Sequence, residues 1–139
     1  HEHTPYPVNL SSKENTAALI KAIEKNAVHI VSHPYHPNFP VDIYDLIKAA
    51  NDCGVILELN LALLKVSKQD KDFLRQIYLM IETIGKFGGK LVISSDAHIA
   101  TEIGDDSILR KLNIRVPNEL VLGSQNGYNE VMAFLSSKR

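Results

Sequence analysis

The sequence predicts an α/β fold, a single domain built from about four strand–helix units on parallel strands. Three observations predict it. Short apolar runs, Val28 to Val31 and Leu91 to Ile93 among them, give way to polar residues and then to a helical pattern, as buried parallel strands do where they feed loops. The spacing between the runs accommodates a helix in a right-handed crossover. Polar residues also recur at alternate strand positions: His29, Val31 and His33 share one face of the first strand, and Ile56, Glu58 and Asn60 share one face of the second. Such units form either a small open sheet with helices on both faces or part of a barrel. A row of His, Glu and Asn on buried strands is costly without partners, which suits a polar barrel mouth better than a sheet face under an apolar helix.

Residues 1 to 10 contain two prolines and little periodicity, and read as loop. Ser11 followed by Glu14 resembles a capping box that opens a helix through Asn26, with Ala18, Leu19, Ala22 and Ile23 on its apolar face. Val28 to Ser32 is the first strand. The three prolines between His33 and Pro40 exclude helix and favour an extended loop. Asp42 caps a helix that runs to Cys53, and Gly54 takes the left-handed position after it. The second strand, Val55 to Asn60, leads into an irregular stretch to Ser67. A long helix follows from about Gln69 to Phe87, with Leu74, Ile77, Tyr78, Met80, Ile81 and Ile84 as its buried stripe and Gly88-Gly89 as its stop. Leu91 to Ser95 is the third strand. Asp105 or Asp106 starts a short helix that ends near Leu112, and Leu120 to Leu122 is a fourth strand. The last helix, Asn126 to Ser136, buries Val131, Met132, Phe134 and Leu135.

Composition excludes several function classes. The 139 residues carry 15 Lys and Arg against 16 Asp and Glu, a net charge of −1, and binding nucleic-acid phosphates needs a basic surface. No apolar run reaches the roughly 18 residues of a membrane span, and no signal peptide is visible. The single cysteine, Cys53, has no partner for a CxxC or a disulfide, so a reducing, cytoplasmic setting is expected. The chain starts at His1 without methionine, which reads as a mature fragment, a cleaved product or the ordered part of something longer.

The chemistry concentrates in Ser94-Ser95-Asp96-Ala97-His98 and Ser32-His33-Pro34. Alternate strand residues share a face, so Asp96 and His98 are expected to project together. Imidazole and carboxylate at neighbouring strand ends suit a divalent cation such as zinc or manganese, and point to a metal-assisted hydrolase. His29 reads as an interior histidine paired with Glu58. Glu58 either orients a ligand imidazole or serves an ion pair. Asn60 at a strand tip either donates to a phosphate oxygen or holds its own loop. His36 is expected to be exposed.

Taken in order, Val28-His29-Ile30-Val31-Ser32-His33-Pro34, Val41-Asp42-Ile43, Leu57-Glu58-Leu59-Asn60 and Ser95-Asp96-Ala97-His98 resemble the polymerase and histidinol phosphatase (PHP) domain family, nearest to its YcdX-like phosphatases. The resemblance implies a distorted (β/α)7 barrel, with this chain as its C-terminal half or more. It also implies divalent metal ions at the barrel mouth, zinc first, with manganese or iron as alternatives. His33, Asp96 and His98 match family ligands. His1, before Glu2, matches another, with His3 as its rival. Lys68 matches a basic residue that helps hold phosphate, beside Asn60. The family's opening H-x-H pair, a further histidine, a D-H pair and a bridging glutamate have no counterpart here, so each metal site would need donors from elsewhere. Tyr35-His36 and Leu61-Ala62 also depart from the family pattern, and reshape the substrate pocket.

The function so implied is hydrolysis of a small phosphomonoester by a metal-activated water. The alternative is a non-catalytic fragment that forms a homodimer or pairs with a missing N-terminal segment. A third reading is a flavodoxin-like domain that binds an anion without metal.

Overall fold

A computed structural model of the chain describes residues 10–25 and 28–137. Helix α1, Ser12–Lys25, starts where the sequence places a capping box. The Ser11 N–H donates to Glu14 Oε2 at 2.8 Å, and the Glu14 N–H donates to Ser11 Oγ at 3.3 Å. Strand β1 is only Ile30–Val31. Helix α2, Ile43–Asp52, is capped by Asp42, whose Oδ1 accepts from the N–H groups of Tyr44 and Asp45 at 3.0 and 3.1 Å. Strand β2, Ile56–Asn60, runs directly into the short helix α3, Leu61–Val66. Asp70 then caps α4, Lys71–Phe87, which stops at Gly88 with φ of 67°. Strand β3 is Leu91–Ser94, and helices α5, Ser107–Lys111, and α6, Gly127–Ser136, complete the chain. Single 3-10 turns lie at Ala100–Glu102 and Asn118–Leu120.

The three strands are parallel and lie in chain order, β1-β2-β3. A flavodoxin-like sheet reverses its winding at a switch point, and this order shows no reversal. Register sets Val31 and Leu91 on either side of Leu57. These residues face the helices, where Leu46, Leu57, Leu59, Leu64, Ile77, Met80 and Leu91 form the most deeply buried layer. Helix α2 packs between α1 and α4 and also rests on β2. By alternation the other face carries Ile30, Ile56, Glu58, Asn60, Val92 and Ser94.

Several expectations need correction. His29 and Val31 do not share a face with Glu58, because Ile30, not Val31, sits opposite Ile56. His29 Nε2 lies 3.1 Å from the carbonyl oxygen of Leu135. A carbonyl only accepts, so Nε2 carries the proton, and Glu58 is not its partner. On α1, Thr16 is buried and Ala18 exposed, because Thr16 Oγ1 accepts from the Asp42 N–H at 2.7 Å and turns that side of the helix inward. The proline-rich segment is two successive turns, closed by His36 N–H to His33 O and Phe39 N–H to His36 O. The stretch after Asn60 is helical because Asn60 caps it. Tyr78 faces out and Phe73 takes its place in the buried stripe of α4.

Among the described residues the sheet has three strands rather than four. The 3-10 turn at Asn118–Leu120 leaves room for one parallel bridge, Leu91 to Val121. The last helix buries none of its residues. Phe134 meets the His29 ring edge-on at 6.1 Å and Glu130 pairs with Lys90, so α6 sits below the amino ends of the strands. An apolar cavity of about 390 Å³ remains there, lined by Ile47, Ile56, Ile84, Leu122 and Phe134 among others. No helix among the described residues is long and apolar enough to cross a membrane.

Candidate active site at the carboxyl ends of the strands

The site grows out of the points where the strands stop. Strand β1 ends at Val31, and His33 follows with φ of 30°. Strand β3 ends at Ser94, and Asp96 follows with φ of 48°. Among the described residues only one other non-glycine, Asn113, has a positive φ. L-residues with a Cβ disfavour this region, and holding one there costs about 1–3 kcal/mol. Such strain persists only where the surroundings impose it.

Strand β2 imposes it from the middle. Glu58 and Asn60 are its two polar residues, 8% and 2% exposed. Glu58 Oε2 accepts from the His33 N–H at 2.9 Å. Asn60 Nδ2 donates to Asp96 Oδ2 at 3.2 Å, while its Oδ1 accepts from the Leu63 N–H at 2.8 Å and so caps α3. The outer strand tips are therefore each tied to the central strand. Buried polar groups without partners would destabilise the fold by about 1–3 kcal/mol each, and here every one of these atoms has a partner.

Tyr35 adds a third tie. It is 5% exposed, packs edge-on against Phe73 at 5.6 Å, and its hydroxyl oxygen accepts from the Asn60 N–H at 2.7 Å. Burial pushes the phenol far above its ordinary pKa, opposed by the Asn60 bond and reinforced by the Glu58 charge. Tyr35 thus stays protonated and serves as an anchor for the loop. His36 sits 5.9 Å from the His33 ring and accepts from the Asn38 N–H at Nδ1. It is half-buried rather than fully exposed. Burial, and then electrostatic repulsion from the neighbouring His33 ring, hold its pKa below the usual histidine value.

By these bonds the structure ties His33 to Glu58 and Asp96 to Asn60, both on β2. It treats the other candidates differently. His98 lies in an exposed bend after the strand has ended, with its N–H donated to Glu102 Oε2 at 3.1 Å. The alternation that would pair it with Asp96 does not operate, because Asp96 is in the left-handed region and not on a strand. Lys68 is exposed in a cleft between α3 and α5 that contains Lys65, Asp105, Ser107 and Lys111 but none of the strand-end groups. In that cleft Lys65 pairs with Asp105 at 3.0 Å, and the Ser107 hydroxyl followed by Lys65 holds the Asp105 carboxyl well below its ordinary pKa. His1 and His3 lie outside the described residues.

Sequence reasoning missed Tyr35 as an anchor, the capping role of Asn60, and the Glu58 bond to the backbone of His33 in place of its imidazole. The cap had a signal, an Asn directly before an apolar run of helical length. The exposed imidazole and carboxylate side chains of His33, Asp96 and His98 are donors of the type that borderline divalent cations take. Their number falls short. Among the described residues no group of three His, Cys, Asp or Glu stands close enough to hold a cation.

No family model matches the chain. It is 32% identical over 129 residues to a probable phosphatase of Caldanaerobacter subterraneus subsp. tengcongensis, covering 91% of this chain and 49% of that protein. It is 32% identical over 139 residues to a probable phosphatase of Citrobacter koseri, covering 98% and 55%, and 30% identical over 138 residues to one of Shewanella halifaxensis, covering 98% and 54%. Over almost its whole length the chain is thus similar to proteins named probable phosphatases, and it spans about half of theirs.

Proposed function

We propose that the chain carries part of the active site of a metal-dependent phosphomonoesterase of the PHP type. The observation that carries this reading is the pair of left-handed residues. His33 and Asp96, each two residues beyond the end of a different strand, are both non-glycine at positive φ and are both tied to β2. Backbone strain of this kind collects at functional sites. Similarity to proteins named probable phosphatases supports the reaction class.

In this reading His33, Asp96, His98 and His1 contribute donors to divalent cations, zinc first and manganese or iron as alternatives. Such cations polarise phosphoryl oxygens and acidify bound water. The described residues supply donor types that fit but not a full set, so the remaining donors come from other polypeptide: a further segment of the same protein or a second copy. The substrate is a small phosphorylated molecule. Its phosphate meets exposed imidazoles at the strand ends, and Lys68 takes part only if its side chain swings out of the α3–α5 cleft. Asn60, whose amide is already engaged, acts through Asp96 and not on substrate.

The test is hydrolysis of p-nitrophenyl phosphate by protein purified without a histidine tag, alongside elemental analysis. Bound zinc, manganese or iron, activity abolished by a chelator, and a loss of at least about 100-fold in kcat/KM for Asp96→Asn are expected. A protein that holds no transition metal even with the segment or second copy that completes the site, or hydrolysis that Asp96→Asn leaves unchanged, contradicts the proposal.

A further inference from the structure

We propose that β2 is the template of the site, with Glu58 and Asn60 as positioning residues that set His33 and Asp96 in register with each other. The inference rests on the functional reading above for its purpose, but its structural half can be tested separately. Glu58 and Asn60 are two residues apart on one strand and therefore share a face. Each reaches across to a different neighbouring strand end: Glu58 to the His33 N–H at 2.9 Å, Asn60 to Asp96 Oδ2 at 3.2 Å.

Burial in a strand does not by itself call for either residue, and the α3 cap uses only the Oδ1 of Asn60. Buried central-strand positions favour apolar side chains, and Leu57 and Leu59 fill the alternate positions on this same strand at 2% and 0% exposure. A buried carboxylate usually answers a Lys or Arg, yet among the described residues Glu58 is in no ion pair; its recorded partner is a backbone amide. A carboxylate–amide bond is charge-assisted and stronger than a neutral one, which suits a residue that must hold a left-handed neighbour in place. Asn60 is doubly used, since Oδ1 caps α3 while Nδ2 holds Asp96. Its N–H to Tyr35 ties the His33 loop to β2 a second time. Two outer tips thus take their spacing from one rigid strand, and sites held on strands are more precise than sites held on loops.

Two variant series separate positioning from folding. Asn60→Ser keeps an N-cap for α3, because Ser caps as well as Asn, but removes the donor to Asp96. Glu58→Gln keeps an acceptor for the His33 N–H, and Glu58→Leu removes it. Expected are melting temperatures for Asn60→Ser and Glu58→Gln close to the parent, a fall of about 10- to 100-fold in Zn²⁺ affinity by calorimetry for Asn60→Ser and Glu58→Leu, and a fall in kcat with KM little changed. Glu58→Gln restores most of the loss. Unchanged Zn²⁺ affinity and kcat in Asn60→Ser and Glu58→Leu, or a Glu58→Gln as impaired as Glu58→Leu, overturns the inference.

Should the parent protein, with the polypeptide that completes the site, take up no Zn²⁺ and hydrolyse nothing, the phosphatase reading fails by itself. Hydrogen exchange of the His33 amide then decides the structural half. Protection that survives Glu58→Gln and is lost in Glu58→Leu supports it, and protection indifferent to both overturns it.

Discussion

His33 and Asp96 each occupy backbone space that their side chains disfavour, and the polar groups of β2 hold them there. A consequence concerns Asp96. Replacing it with Ala keeps the Cβ penalty and removes the Asn60 bond, whereas Gly removes the penalty too. Asp96→Ala is therefore expected to be less stable than Asp96→Gly by about 1 kcal/mol, read from urea midpoints. Equal midpoints would mean that Asp96 is not held in the left-handed region. A second consequence concerns Tyr35. Its hydroxyl oxygen is the acceptor for a buried N–H, so Tyr35→Phe leaves that donor unpaired and costs about 1–3 kcal/mol. A loss below a few tenths in the same measurement would show the Asn60 N–H satisfied by another group. At this scale the sequence was a partial guide. The residue types of the site stand in plain view in Ser32-His33-Pro34 and Ser95-Asp96-Ala97-His98, but φ does not. Alternation, the rule that joined Asp96 to His98, holds only while a strand continues, and this strand stops at Ser94.

The elements follow local chemistry closely wherever a cap is written in the sequence. Ser11 with Glu14, Asp42 and Gly88 start or stop helices where expected. The cap that Asn60 supplies to α3 was equally local but went unread, whereas legibility fails where tertiary contact decides: the 3-10 turn before Val121 reduces an apolar run to one bridge. Three carboxylates at element junctions bear on pH. Glu14 is held low first by the Ser11 hydroxyl, Asp105 first by the Ser107 hydroxyl and then Lys65, and Glu130 first by Lys90. Each binds its proton less readily folded than unfolded, so the unfolded chain takes up more protons in acid. The stability these groups supply is complete above the ordinary carboxylate value of about 4 and is lost as pH falls through their own lower values. Glu14 and Asp105 are solvent-screened, so their share of the effect is modest. The urea midpoint is expected to fall between pH 5 and pH 2, about the ordinary carboxylate range, and Lys65→Met to flatten part of that fall. A midpoint independent of pH over this range contradicts the assignment.

At the scale of the molecule, the sheet has a helix-covered face and a face with polar residues at its upper end. The three strands follow chain order, and the parallel α/β class was legible from the apolar runs alone. The extent of the sheet was not. Whether an apolar run pairs depends on neighbours that periodicity cannot name. Ile30 is 38% exposed, Ile99 61%, Ile103 74% and Tyr128 75%, and the net charge of −1 gives little repulsion between copies. Among the described residues β1 is an outer strand with Ile30 exposed on it, and an uncovered strand edge favours association. The scattering mass of the chain is expected to rise with concentration through the micromolar range, about that of weak specific contacts; a constant monomer mass contradicts that expectation.

His33 and Asp96, which follow different strands, are expected to act on one reacting group. A double-mutant cycle in kcat/KM for p-nitrophenyl phosphate, with His33→Ala, Asp96→Asn and the pair combined, tests it most directly. Residues that act as a unit are non-additive, so each single change is expected to remove about as much activity as both together. Losses that multiply, or single changes without effect, would show that the two residues do not form one site.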